Sequence, residues 1–201
     1  MKSGERIPRL ELTQLEPGLA ERLRPRVERL GYLGEFFRCA GHQPGPLAAF
    51  VDFTEALKRA LPDDLGEVVA LTVATRLGNV YERNQHERLA SKLGFADDWI
   101  RAARGPEAAG GPESGSDAGA GGAGSPLSGA QSRVQALTLA MLDRGGRDVD
   151  AELGAVIDAI GAVDAVAVLL LVGRTVTHAL VVNALGLEPP VASIFAAAES
   201  P

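Results

Sequence analysis

The sequence predicts an all-α protein, an antiparallel helical bundle, and three observations carry that expectation. Hydrophobic residues make up 46% of the chain while aromatics reach only 4%. A core of Ala, Leu and Val suits packed helices better than sheets, whose faces call for aromatic and β-branched residues. Apolar residues recur at the i, i+3, i+4, i+7 spacing of a helix face. No segment alternates with period two for long enough to make a strand.

Local signals then place each element. In the stretch from Pro46 to Ala60, residues Leu47, Phe50, Phe53, Thr54 and Leu57 form one expected buried stripe. The turn Pro44-Gly45-Pro46 precedes it. Leu61-Pro62-Asp63-Asp64 opens a helix that runs to about Leu77 and stops at Gly78. The next begins near Asn79 and ends at Leu93-Gly94, with the glycine closing it. A short helix covers Phe95 to Arg104, and three more follow at Ser132 to Arg144, Val149 to Ile160 and Val163 to Leu185.

A chain of 201 residues fits a single domain. Within it, Gly105 to Ala130 holds nine Gly, six Ala, four Ser and three Pro in 26 residues. Such a stretch cannot recover its ordering entropy by burial, so it reads as a flexible linker; a lid over a site is the alternative. It separates an N-terminal half, 17–104, from a C-terminal half, 131–190. The formal charge of −6 argues against nucleic acid or an anionic membrane as partner. The longest apolar run, Ala165 to Gly173, is nine residues, about half of a membrane span. The start lacks the apolar stretch of a signal peptide, and a cytoplasmic location is expected. One cysteine, Cys39, permits no intrachain disulfide, and three histidines leave little material for a metal centre.

The stretch from Glu67 to His86 holds the residues that can carry chemistry. On a helix, Asn79, Glu82 and His86 are spaced i, i+3, i+7 and project from one face. The preceding helix must fold back antiparallel after Gly78, which lets Glu67 approach the same face. A carboxylate beside an imidazole favours the imidazolium and fixes which nitrogen holds the proton. Two glutamates and a histidine, with Asn79 and Tyr81 near, suffice for proton transfer at carbon without metal or organic cofactor. A competing reading exists for each acid: Asn79-x-x-Glu82 and Asp64-x-x-Glu67 both fit capping boxes.

Other polar residues have plainer readings. His178, on an apolar helix, reads as a packed histidine; six residues separate it from Leu185-Gly186, as six separate His86 from Leu93-Gly94. That match suggests two helical hairpins related by a pseudo-twofold. His42 is expected to cap carbonyls near a helix end, Cys39 to pack as a small apolar group, and Arg22, Arg24, Arg26 and Arg29 to form a solvated face.

Glu67, eleven intervening residues, and then Asn79-x-x-Glu82-x-x-x-His86 resembles the carboxymuconolactone decarboxylase and alkylhydroperoxidase D superfamily. Its peroxidase branch carries Glu and then Cys-x-x-Cys-x-x-x-His at that spacing. Its non-redox branch commonly carries Tyr-Glu-Trp-x-x-His, matched here by Tyr81-Glu82-Arg83-Asn84-Gln85-His86. Arg29-Leu30-Gly31-Tyr32-Leu33 with Phe37-Arg38 and His42 is similar to the N-terminal helices of that superfamily. Val172-Gly173 with Asn183-Ala184-Leu185-Gly186-Leu187-Glu188 is similar to its C-terminal hairpin. The resemblance spans about residues 17 to 190 apart from the linker.

Asn79 and Glu82 stand where the redox cysteines would be, and neither can attack or resolve as a thiol does. Thiol peroxidase activity is therefore excluded. Arg83 replaces the usual Trp and is either a bidentate partner for a substrate carboxylate or solvated. The resemblance implies a cofactor-independent lyase or isomerase acting on a small oxygenated organic acid or lactone. In it His86 would be the acid or base and Glu82 and Glu67 its partners, while Asn79 and Tyr81 would donate to an enolate oxygen. The alternative is a non-catalytic binding or assembly scaffold of the same fold. The resemblance also implies a homo-oligomer: dimer, trimer or hexamer.

Overall fold

A computed structural model describes residues 6–107 and 125–196. Among these there are eight α-helices and no strand: α1 (Pro17–Leu30), α2 (Glu35–Ala40), α3 (Pro44–Ala60), α4 (Asp63–Arg76), α5 (Val80–Lys92), α6 (Asp97–Arg104), α7 (Gly129–Arg144) and α8 (Asp150–Leu185). The all-α expectation holds. Residues 108–124, most of the expected linker, lie outside the described residues. Its last two positions belong to α7 instead, because Ser128 and Gln131 form a reciprocal capping box that starts the helix at Gly129.

The chain divides into two compact units. One comprises the residues up to Ala56 with Val181–Leu187; the other comprises Leu57–Leu180 with the residues from Glu188. In the first, Arg22 and Arg26 of α1 pair with Asp52 and Glu55 of α3, so half of that basic run is ion-paired. His42 differs from expectation too: its Nε2 lies 2.8 Å from the Pro8 carbonyl rather than capping a helix end. Cys39 packs in the interior as expected, and burial pushes its thiol pKa up. The stripe on α3 is corrected at Phe53, which is 38% exposed while Val51 is buried.

The second unit is built around α4, whose residues from Glu67 to Thr75 are all buried. A helix buried on every face must be central, and α4 packs against α5, α6 and α7. Val68, Val69, Leu71 and Val73 of α4 join Ile100 of α6 and Val134 and Leu137 of α7 in one core. Val168, Val172 and Ala179 of α8 belong to the same core. Gly161 has φ 84° and ψ 162° and breaks α8 into two arms, matching the two helices read from the sequence. Those backbone angles are accessible essentially to glycine alone.

By length and composition, α8 is apolar enough to cross a membrane, its most apolar window reaching a mean hydropathy of 2.4. Counting an unbroken run understates this, because Arg174 and His178 interrupt a run more than they lower an average. While Ala165, Val168 and Val172 face inward, Val163, Val166, Leu170 and Leu180 lie on the surface.

Candidate active site

The site begins with a turn. Gly78 adopts a left-handed φ of 61° between α4 and α5, and α5 folds back along α4. Glu67 lies ten residues before Leu77 and His86 nine after it, so the two stand at nearly equal height, about 14 Å along each axis. Their side chains meet: His86 Nδ1 is 2.9 Å from Glu67 Oε2. Glu67 sits on the buried helix α4, where a lone carboxylate would be strongly penalised.

Neither acid is used as a cap. Asn79 does cap α5, its Oδ1 accepting from the Glu82 backbone N–H at 3.1 Å. The reciprocal half of that box is absent, because the Asn79 N–H goes to the Ala74 carbonyl at 2.8 Å. The Asp64–Glu67 box is likewise unmade: Asp64 accepts from Gln131 of α7 at 2.6 Å. Glu82 turns instead to two imidazoles. Its Oε2 lies 2.8 Å from His178 Nδ1 and 3.6 Å from His86 Nε2, while Oε1 accepts from Gln85 at 3.3 Å. Glu67, His86, Glu82 and His178 thus form a continuous chain of acids and imidazoles across α4, α5 and α8, all in the second unit.

His178 is the member that sequence reasoning placed elsewhere, as a packed histidine. It is indeed buried, but its Nδ1 addresses Glu82. The signal that could have found it was the shared spacing of His86 and His178 from Leu-Gly helix endings.

Electrostatics follow from this geometry. Burial alone would push the His86 imidazole down, but the Glu67 carboxylate against Nδ1 and Glu82 near Nε2 outweigh it and raise the pKa from 6.5 to about 10. Burial would likewise raise the Glu82 carboxyl. The charge and hydrogen bond of His178, followed by those of His86, hold it well below its ordinary 4.5 instead. At neutral pH His86 is an imidazolium between carboxylates.

The remaining expected residues are placed as follows. Asn79 is 99% buried, and its Nδ2 has no hydrogen-bond partner among the described residues. Capping uses only its oxygen, so the amide nitrogen keeps two donors for another group. Tyr81 is buried beside Glu82 in sequence, about 100° around α5 from it. Arg83 is drawn to the other side, onto Glu107 at 3.2 Å and Glu87 at 3.8 Å. Glu87, unnoticed in the sequence and fully buried, also lies 3.7 Å from Arg104 and accepts from Ser193 at 2.6 Å. That knot ties the segment after α8 to α5 and α6. The one constellation in which two acids and two imidazoles converge is therefore separate from the arginine cluster.

No family model matches the sequence, and no curated protein matches it. Solved structures do. A peroxidase-related protein from Ralstonia eutropha JMP134, described as an alkylhydroperoxidase AhpD core, superposes with a TM-score of 0.73 at 14% identity, covering 92% of this chain and 91% of that one. The fold is that of the AhpD core. A Cys→Ala variant of the debrominase Bmp8, in complex with 2,3,4-tribromopyrrole, superposes with a TM-score of 0.69 at 14% identity, covering 90% of both chains. At that identity the likeness is one of fold, and it agrees with the resemblance read from the spacing of Glu67, Glu82 and His86. Asn79 and Glu82, at the positions that the resemblance assigns to the two redox cysteines, carry no sulfur.

Proposed function

We propose that this AhpD-like protein transfers protons at carbon without a cofactor, as a lyase or isomerase resembling carboxymuconolactone decarboxylase, on a small oxygenated organic acid or lactone. The observation that carries this reading is the imidazolium of His86 held between Glu67 and Glu82. With its pKa near 10, His86 is the acid of the pair, and a carboxylate is the base. Nδ1 is engaged by Glu67 at 2.9 Å, whereas the Glu82 carboxylate stands 3.6 Å from Nε2. Nε2–H is therefore the proton available for delivery.

In a decarboxylation, the electron pair of the breaking C–C bond passes into the substrate's carbonyl as CO₂ leaves, giving an enolate. A donor such as Asn79 Nδ2 stabilises the enolate oxygen. His86 Nε2–H then forms the new C–H bond, and the neutral imidazole regains its proton from water. In an isomerisation, a carboxylate first removes the proton that His86 later returns elsewhere. Bmp8 holding a halogenated pyrrole supports the idea that this fold accommodates a small carbon compound. Thiol-dependent peroxide reduction finds no second thiol beside Cys39.

The test is substrate-dependent deuterium incorporation or CO₂ release, screened with the full chain in D₂O against small lactones and keto acids. The reading expects turnover that His86→Gln lowers by about 10²–10⁴-fold. Turnover unaffected by that substitution contradicts it.

Self-association belongs to the same proposal, with a second copy of this chain as the partner. The exposed row Val163, Val166, Leu170, Gly173, Thr177 and Leu180 alternates steps of three and four residues, the spacing of a helix–helix seam. It is self-complementary about a two-fold axis: an antiparallel copy sets Val163 against Leu180 and Leu170 over Gly173. No atom lies within 4 Å of a Cβ built on Gly173, which leaves room for the larger side chain.

A further inference from the structure

A carboxylate can only accept hydrogen bonds, so the 2.8 Å approach of His178 Nδ1 to Glu82 Oε2, an ion-pair distance at which the ring is not aimed along a straight hydrogen bond, calls for the hydrogen on Nδ1. This fixes Nδ1 as the protonated nitrogen that faces Glu82. His178 does this from an apolar setting: Thr175, Val172 and Ala179 around it on α8 are all buried.

The backbone places this histidine as a counterpart of His86. Each stands eight residues before a glycine of positive φ that follows its helix, Gly94 at 92° and Gly186 at 60°. The two imidazoles thereby reach one oxygen, Glu82 Oε2, from α5 and α8 at 3.6 and 2.8 Å. Because the same oxygen serves both rings, whatever His178 does to Glu82 is felt at His86 Nε2.

We propose that His178 is a positioning residue of the proton-transfer site, its Nδ1–H holding Glu82 Oε2 so that this carboxylate attends His86 Nε2 without capturing its proton. The proposal rests on the reading of His86 and Glu82 as the proton-transfer pair, and it adds a role from the C-terminal half of the chain. With His178 in place, the 3.6 Å gap keeps the Nε2–H available to substrate. Without it, Glu82 is free to close on His86 and hold that proton.

The experiment is long-range ¹H–¹⁵N correlation on the 201-residue chain labelled with ¹⁵N-histidine, whose three rings are assigned from single variants. Wild-type His178 is expected to show a protonated Nδ1. In His178→Leu the His86 Nε2 resonance is expected to shift as Glu82 moves onto it, and His178→Asn, which restores an N–H in that place, is expected to bring it back. A bare Nδ1 on His178 overturns the proposal. So does a His86 resonance indifferent to leucine, or asparagine behaving as leucine does, since either outcome means that volume alone is needed there. If the leucine variant does not fold, Glu82→Gln supplies the second measurement: a wild-type His178 spectrum in that variant overturns the proposal and a shifted one supports it. No turnover is read, so these spectra are independent of whether any lactone or keto acid proves to be a substrate.

Discussion

Glu67 and His86, nineteen residues apart, meet at 2.9 Å across the Gly78 turn. One carboxylate on the most buried helix is thereby neutralised by an imidazole on the next, and the contact depends on α4 and α5 lying antiparallel in one register. A shift of one residue along either helix would rotate a partner by about 100° and break it.

Coupling between these two side chains is the first consequence. A double-mutant cycle with Glu67→Gln and His86→Gln, followed by urea unfolding, should return an interaction of about 0.5–3 kcal/mol. Additive effects would mean that the pair contributes nothing beyond its separate burial.

Stability should depend on pH in a defined direction. The His86 pKa is raised from 6.5 to about 10 on folding, so its contribution is full below 6.5 and is lost as pH rises toward 10. The Glu82 pKa is depressed below 4.5, so its contribution is present above 4.5 and lost as pH falls toward the folded value. Together they place the maximum between 4.5 and 6.5. Urea midpoints measured from pH 4 to 10 should peak there, and His86→Gln should flatten the alkaline limb.

Gly161 should resist substitution for a backbone reason alone. Its φ of 84° and ψ of 162° exclude other residues, although no atom lies within 4 Å of an added Cβ. Gly161→Ala is expected to lose about 1–3 kcal/mol in chemical denaturation. An unchanged midpoint would show that the two arms of α8 join without that conformation.

Leu170→Glu should convert an oligomer to a smaller species in sedimentation velocity while shifting the unfolding midpoint little. Leu170 is 48% exposed, and surface substitutions generally stay within about 0.5 kcal/mol. An unaltered sedimentation coefficient would remove α8 as the seam.

Much of this was legible in the sequence, and the exceptions have identifiable causes. The α4–α5 hairpin and its Glu–Glu–His set follow from Gly78 and from helical spacing, which are local. Phe53 was assigned inward because periodicity reports the width of a face but not where the neighbouring helix ends. Capping and proton chemistry looked like rivals for the Asn79–Glu82 pair, yet Asn79 caps with its oxygen while Glu82 turns to the imidazoles. His178 joins Glu82 across 96 residues, a contact set by tertiary packing that no window of sequence contains. Glu87 escaped notice because an acid one helical turn after Arg83 reads as an ordinary surface pair, whereas its other partners, Arg104 and Ser193, come from distant segments.

The central claim is that His86 rests as an imidazolium at neutral pH, and its titration tests that most directly. The His86 ring resonances of the 201-residue chain, followed by NMR from pH 5 to 11, should stay those of the protonated form through neutrality and change only near pH 10. A midpoint near 6.5, the ordinary value for an imidazole, would contradict the account and leave the two carboxylates without their acid.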